Sequence, residues 1–194
     1  MRRFTFRRQT PVIAALFAIA CTSIGGPTPP SRFYLLEPLA QSTAAAAGPA
    51  IGVGPIKVAE YLDRPQIVTR RSDHGIELAE YDRWGEPLSE SISRVVAMNL
   101  GRLLGSERVM RHVWRESDLD YRVAIDVRQL DGPVAGPVVL EAHWRVRQAD
   151  GVVEQVTRIQ EPVAGAGFDA LAAATSRALF ALSKEIAGAI GGGS

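Results

Sequence analysis

The sequence has very little cysteine and very little histidine. Cys21 is the only cysteine among 194 residues, and there are three histidines. The histidines, at His74, His112 and His143, show no metal-ligand spacing such as His-x-x-x-His, and a single thiol cannot complete a zinc site. With Cys21 modified, the mature chain would hold no disulfide, so its stability would come from packing. These scarcities argue against a metal site and against a disulfide framework.

Local motifs that anchor common catalytic sites are also missing. Neither Gly-x-Ser-x-Gly nor Ser-x-x-Lys occurs, so nucleophilic hydrolysis has no local anchor. The pair Gly52-x-Gly54 lacks the third glycine of a nucleotide-binding loop, and Pro55 follows it. Asp118 and Asp120 are interpreted as loop residues before a strand, because aspartate is common in turns. The sequence therefore predicts no enzyme, although a dispersed site assembled only in the fold stays open.

Excess positive charge is absent once the first 20 residues are set apart. The whole chain has 22 basic and 21 acidic residues. Residues 1–20 contain Arg2, Arg3, Arg7 and Arg8 and no acid, so the remainder has 18 basic and 21 acidic residues, a net charge of −3. No basic stripe is left to follow a phosphate backbone, which excludes nucleic acid as a predicted partner.

No apolar run is long enough for a transmembrane helix. The run from Pro11 to Ala20 has ten residues, and about 20 are needed to span a bilayer. It follows the arginines and ends in small residues, which is the layout of a secretory signal peptide over residues 1–20. Cys21 comes directly after it, in a pattern that resembles the lipoprotein lipobox except that Ala18 stands where leucine is usual. We expect an acyl lipid on Cys21; an ordinary signal peptide with a chance cysteine is the alternative.

The remaining sequence predicts one α+β domain, with a mixed, mostly antiparallel β-sheet covered by two long helices. Residues 21–31 are rich in proline, glycine and serine and are predicted to be a flexible tether, the folded domain to span 32–190, and 191–194 to be a tail. The helices are predicted at about 87–104 and, with Asp169 as N-cap, at 169–190. The predicted strands are 32–37, 51–58, a hairpin of 66–70 with 75–79, 121–127, and a hairpin of 138–147 with 152–160.

One segment combines residue types that are common in interfaces. Tyr81-Asp-Arg-Trp-Gly-Glu-Pro-Leu88 places two aromatic residues, one basic residue and two acids just ahead of the first long helix. Tyr81, Arg83 and Trp84 are therefore candidate partner-binding residues. The structural alternative is that Trp84 attaches the start of the helix to the sheet, because aromatic residues dominate cores.

Four blocks of the chain resemble a known family. They are Ser31-Arg-Phe-Tyr-Leu-Leu-Glu-Pro38, Ile51-Gly-Val-Gly-Pro-Ile-Lys-Val58, Tyr61-Leu-Asp-Arg-Pro-Gln-Ile-Val-Thr-Arg70 and the Tyr81–Leu88 segment. In this order they resemble the ABC-type transport auxiliary lipoproteins of the PqiC/YmbA group. Val58-Ala59-Glu60 departs from the family, where a proline commonly precedes the Tyr-Leu block.

The resemblance implies a non-enzymatic periplasmic lipoprotein with no bound cofactor other than its covalent lipid. Such proteins work with an MCE-domain protein, and sometimes with an ABC permease and ATPase, to move lipids or other hydrophobic molecules between membranes. Thr22, rather than aspartate, after the cysteine implies sorting to the outer membrane. Two roles remain open: a docking subunit, expected to form a homo-oligomeric ring, or a carrier that holds an acyl chain in its own cavity.

Overall fold

The structure is a computed structural model that describes residues 28–41, 48–111, 115 and 118–192. A compact unit begins at Ser31. The predicted signal peptide, the predicted lipidation site Cys21 and most of the predicted tether lie outside the described residues.

Eight strands and two α-helices make up the described part of the chain. In order they are β1 (Arg32–Tyr34), β2 (Ile51–Val58), β3 (Gln66–Ser72), β4 (Gly75–Trp84), α1 (Leu88–Leu103), β5 (Val109–Arg111), β6 (Tyr121–Asp131), β7 (Val138–Gln148), β8 (Gly151–Glu161) and α2 (Gly167–Gly191). A short 3-10 helix over Glu60–Leu62 lies between β2 and β3. The predicted α+β fold with two long helices is confirmed.

The strands form two mixed sheets among the described residues, where the sequence predicted one. The larger has the order β5-β2-β6-β7-β8, and the smaller has the order β1-β4-β3. In the larger sheet β2 runs parallel to both β5 and β6, whereas β6, β7 and β8 are antiparallel neighbours. In the smaller sheet β1 is parallel to β4, and β3 and β4 form the predicted hairpin.

Alternating side chains of the larger sheet build one side of the core. Successive residues of a strand face opposite sides of a sheet, and every second residue is buried from Val123 to Val127 in β6 and from Val138 to Val146 in β7. Strand β7 illustrates this with Leu140, Ala142 and Trp144, all at most 1% exposed. The predicted apolar stripe of α2 is buried as well, at Leu171, Thr175, Ala178, Leu179, Leu182 and Ile186. Both helices contact this sheet. The space between the sheet and the helices is therefore filled by side chains.

The ends of the helices differ slightly from the prediction. Helix α1 begins one residue later than predicted, at Leu88 with Pro87 as its N-cap residue, and Gly105 follows its end with a left-handed φ of 61°. The N-cap prediction for Asp169 is wrong, because α2 begins two residues earlier, at Gly167 with Ala166 as N-cap. Asp169 lies instead in the first turn, where a negative charge is still favourable to the helix dipole.

Candidate interaction surface

Strands β1 and β4 bring together two blocks that are far apart in the sequence. In their parallel pairing Arg32 lies beside Asp82, Phe33 beside Arg83, and Tyr34 beside Trp84. Residues in register on neighbouring strands share a face of the sheet, and consecutive residues alternate between faces. The pairing therefore sorts the residues of both blocks onto a buried face and an exposed face.

An ionic cluster fixes the buried face of this strand pair. Arg32 donates from Nη2 to Oδ2 of Asp82 at 2.9 Å, and the hydroxyl of Tyr34 donates to Oδ1 at 2.7 Å. Hydrogen bonding to Arg32 lowers the pKa of Asp82 despite its burial. Burial and the hydrogen bond to Asp82 raise the pKa of Tyr34 to about 12. All three side chains of this cluster come from β1 and β4, so their contacts hold β1 in register with β4 at the start of the domain.

Trp84 belongs to the core and not to the exposed face. Its side chain is 8% exposed and joins the main hydrophobic cluster, and its backbone N–H donates to the carbonyl of Pro65 at 2.8 Å. This is the structural alternative of the sequence analysis. Tyr81 and Arg83 are half-buried, and their role as partner contacts stays a prediction.

The exposed face carries two apolar side chains that the sequence analysis did not select. Phe33 is 66% exposed and Leu35 is 53% exposed. Phe33 is in register with Arg83, and Leu35 lies over Gly85, where an added Cβ would meet Leu35 Cδ2 at 2.9 Å. We call Phe33, Leu35 and Arg83 the β1 ridge. Side chains alternate between the two faces along Arg32–Leu36, and Phe33 and Leu35 are exposed because no element of the described part of the chain covers their face.

One open depression is lined by residues of the β1 ridge, and another lies next to it. A groove of about 540 Å³ is lined by Phe33, Leu35 and Leu39 together with Ala172 and Ala173 of α2. A cleft of about 340 Å³ contains Gly85, beside Leu35, and is lined also by Asp63, Arg64, Pro65, Trp84, Glu86 and Pro87. Exposed aromatic and aliphatic side chains next to arginine and adjacent to concave surface are typical of protein interfaces.

Side chains of α1 and α2 bind the backbone of the segment that follows β1, Leu36–Ala40. Oδ1 of Asn99 accepts the N–H groups of Leu39 and Ala40 at 3.0 and 3.1 Å. Arg102 donates to the carbonyl of Ala40 at 2.9 Å, and Ser176 of α2 accepts the N–H of Glu37. Because α1 and α2 both contribute, the position of the ridge is fixed relative to the helices.

A second ionic cluster connects the two sheets. Asp131, at the end of β6, accepts two hydrogen bonds of 2.8 Å from Arg70 of β3, one of 2.7 Å from the hydroxyl of Tyr61 and one of 2.9 Å from Gln129. Burial alone would raise the pKa of Asp131, but these hydrogen bonds outweigh it and lower the pKa. Tyr61 and Arg70 are the first and last residues of one of the four sequence blocks that resemble the known family. That block therefore has a structural role, because it joins the two sheets.

The described residues hold no group of three or more histidine, cysteine, aspartate or glutamate side chains that could bind a metal. In that same part of the chain, no helix is long and apolar enough to cross a membrane.

The sequence profile of the ABC-type transport auxiliary lipoprotein component family matches residues 34–187. The chain belongs to this family. Membership makes it an auxiliary component of ABC-type transport and a lipoprotein of the cell envelope, attached to a membrane, and it suggests a role without catalysis. No curated protein matches the chain by sequence.

Solved structures show the same fold at low sequence identity. One, a crystal structure of an uncharacterized protein, is 18% identical with a TM-score of 0.71, and the alignment covers 84% of this chain and 99% of that one. Another, a Xanthomonas campestris protein of the DUF330 family, is 21% identical with a TM-score of 0.64, covering 81% of this chain and 94% of that one. The family fold therefore extends over essentially the whole compact unit.

Proposed function

We propose that the protein is a non-enzymatic docking subunit of a system that moves lipids or other hydrophobic molecules between membranes. Its partner in this proposal is an MCE-domain protein, which works with an ABC permease and ATPase. Family membership supports the auxiliary role in transport, and the resemblance of the four sequence blocks supports the MCE group. A lipid on Cys21, followed by Thr22, would anchor the domain at the periplasmic face of the outer membrane.

The filled interior is the observation that favours a docking role over a role as lipid carrier. A carrier needs a cavity between its sheet and its helices to cover an acyl chain. Here Trp144 of the larger sheet and Leu179, Leu182 and Ile186 of α2 are at most 1% exposed, and Trp144 Nε1 donates to Thr157 at 2.9 Å in the same layer. Interiors packed in this way leave few voids larger than a water molecule.

The groove beside the β1 ridge is the feature that favours the carrier alternative. Its walls are largely apolar, and its volume of about 540 Å³ is of the size of a small-molecule site. It is, however, open to solvent along the ridge, so an acyl chain lying there would be only partly covered. We therefore assign the groove and the ridge, which includes Arg83, to protein contact, with Tyr81 as a neighbouring contact and Trp84 supporting them from the core.

Replacing Cys21 with alanine is expected to abolish anchoring. The thiol is the only one in the chain, so no other residue can take the thioether-linked lipid. Labelled palmitate should enter the wild-type protein and not the variant, and the variant should leave the membrane fraction that detergent dissolves. Equal labelling and equal fractionation of the two proteins would contradict lipidation.

Replacing Phe33 with glutamate is expected to weaken capture of the MCE-domain partner by about 2 kcal/mol, the loss typical of a central interface residue. The change should leave the melting temperature nearly unchanged, because the side chain is 66% exposed. Affinity is to be measured by co-purification and titration with the full-length protein.

Leu78→Glu is the matched control for this experiment. Leu78 is also an exposed apolar residue of the smaller sheet, at 42%, but it lies outside the β1 ridge. Capture should survive this change. Equal losses from both variants, or no loss from Phe33→Glu, would remove the ridge from the partner interface.

A further inference from the structure

Strand β8 is an edge of the larger sheet. It pairs with β7 along its whole length, and no strand lies on its other side among the described residues. An edge strand presents a row of backbone N–H and C=O groups that can pair with another chain, and most proteins block such edges with prolines, bulges or inward-facing charges. Strand β8 spans 11 residues, Gly151–Glu161, without a proline or a register shift. Neither a proline nor a bulge therefore blocks this edge.

Three exposed valines lie among the polar side chains of β8, which are Glu154, Gln155, Arg158 and Gln160. Val156 is 59% exposed, Val152 is 52% exposed and Val153 is 38% exposed. Two opposite charges, Glu154 and Arg158, lie symmetrically about Val156 on the outer face of the strand. The outer face thus alternates valine at positions 152 and 156 with charge at positions 154 and 158, so it offers both apolar area and ionic partners to a facing strand.

We propose that β8 pairs with β8 of a second copy of this chain, antiparallel, about a two-fold axis at Val156. The axis would stand perpendicular to the sheet and join the two five-stranded sheets into one continuous sheet. This surface is separate from the β1 ridge, and the proposal does not depend on the MCE partner.

Geometry limits the possible registers. A two-fold axis normal to the sheet leaves each side chain on the face that it already occupies. Two directly opposed residues must have their side chains on the same face, and this holds only if the axis passes through a residue and not between two residues. Val156 is the midpoint of Gly151–Glu161, so an axis there pairs every residue of the strand. Registers centred on Glu154 or Arg158 would instead place two like charges directly opposite each other, which destabilises a sheet.

Charge complementarity selects the same register. With the axis at Val156, Glu154 of each copy lies opposite Arg158 of the other. Within one chain Arg158 Nη1 already lies 2.7 Å from Glu141 Oε2, and His143 Nε2 lies 2.7 Å from Glu154 Oε1. The pairing would therefore extend these contacts into two rows of polar side chains across the interface, each with a Glu154–Arg158 pair at its centre. On the helix side Val153 would lie opposite Ile159, which covers both apolar side chains.

A two-fold contact of this kind is closed after two copies. A ring with more members would then be built from such pairs through another surface. The covered valines and the extended backbone pairing are the usual elements of recognition by strand addition.

Cysteine cross-linking of the full-length protein in intact cells tests the register. Cα atoms of directly opposed residues in an antiparallel pair are about 4.5–5.5 Å apart, which is within the range that a disulfide spans. Val156→Cys should therefore form a covalent dimer with a mild oxidant. Val152→Cys is the matched control, since it is similarly exposed but would lie about 27 Å from its copy at eight strand residues of separation. The wild-type protein, whose only cysteine is Cys21, shows how much covalent dimer forms through that residue.

Charge reversal in the Val156→Cys background adds a second arm. Glu154→Arg and Arg158→Glu should each lower the dimer yield, with roughly tenfold weaker association, and the double reversal should restore it. Melting temperatures of the variants show whether each still folds. No dimer from Val156→Cys, equal yields at positions 152 and 156, or a double reversal as weak as its parents would each overturn the proposal.

Discussion

Leu182→Asp is expected to unfold the domain. Leu182 is 0% exposed on the sheet-facing stripe of α2, in one cluster with Leu179, Ile186 and Trp144. An aspartate there has no partner, and leaving a charged or unpaired polar group in the core costs at least about 4 kcal/mol, a large part of the total stability of a domain of this size. Circular dichroism at increasing temperature should show no cooperative transition, or one far below that of wild type.

Ala173→Asp on the same helix is the control for this prediction. Ala173 is exposed, so its replacement adds the same charge to α2 without burying it. The melting temperature of this variant should stay within a few degrees of wild type. If Leu182→Asp also melts within a few degrees of wild type, α2 does not pack on the larger sheet as described.

Arg70→Met is expected to lower the free energy of unfolding by about 3–5 kcal/mol, because it leaves the Asp131 carboxylate buried without its cation. The side chain of Asp131 is 0% exposed, and Arg70 supplies two of its hydrogen bonds. Arg158→Met removes an exposed ion pair with Glu141 and should cost at most about 1 kcal/mol. Urea titration of both variants measures the difference.

The same cluster sets a pH dependence. The folded-state pKa of Asp131 is lowered below its ordinary value of 3.8, so the ionised carboxylate stabilises the fold above that value. This stabilisation should be lost as the pH falls from about 5 through the folded pKa, since the unfolded state takes up the proton first. Asp82, whose pKa is lowered by Arg32, contributes in the same direction. The loss of stability on acidification should therefore be smaller in Arg70→Met than in wild type.

Elements with local periodicity were predictable from the sequence. The alternation of Val123, Ile125 and Val127 determines which face of β6 is buried, and the helical spacing of Leu171–Ile186 does the same for α2. These patterns depend on contacts between near neighbours in the chain. Strand β2 was predicted with its observed bounds, Ile51–Val58.

Pairings between distant segments were not predictable. Nothing in Arg32–Tyr34 indicates that it pairs with β4, 50 residues later, through the Arg32–Asp82 contact. That pairing separates β1, β4 and β3 from the larger sheet. It also places Phe33 in solvent and Trp84 in the core, whereas the sequence alone left both an exposed contact and a core position open for Trp84. Composition alone cannot distinguish the two faces of a short strand.

The central claim is that the domain docks a partner and does not carry lipid, and native mass spectrometry tests it directly. The full-length protein is to be isolated from its own cell envelope in mild detergent, and both attached proteins and non-covalently bound lipid are to be identified. The account predicts an MCE-domain protein in the complex and no lipid beyond the covalent anchor. A stoichiometric bound lipid together with no MCE-domain protein would contradict it.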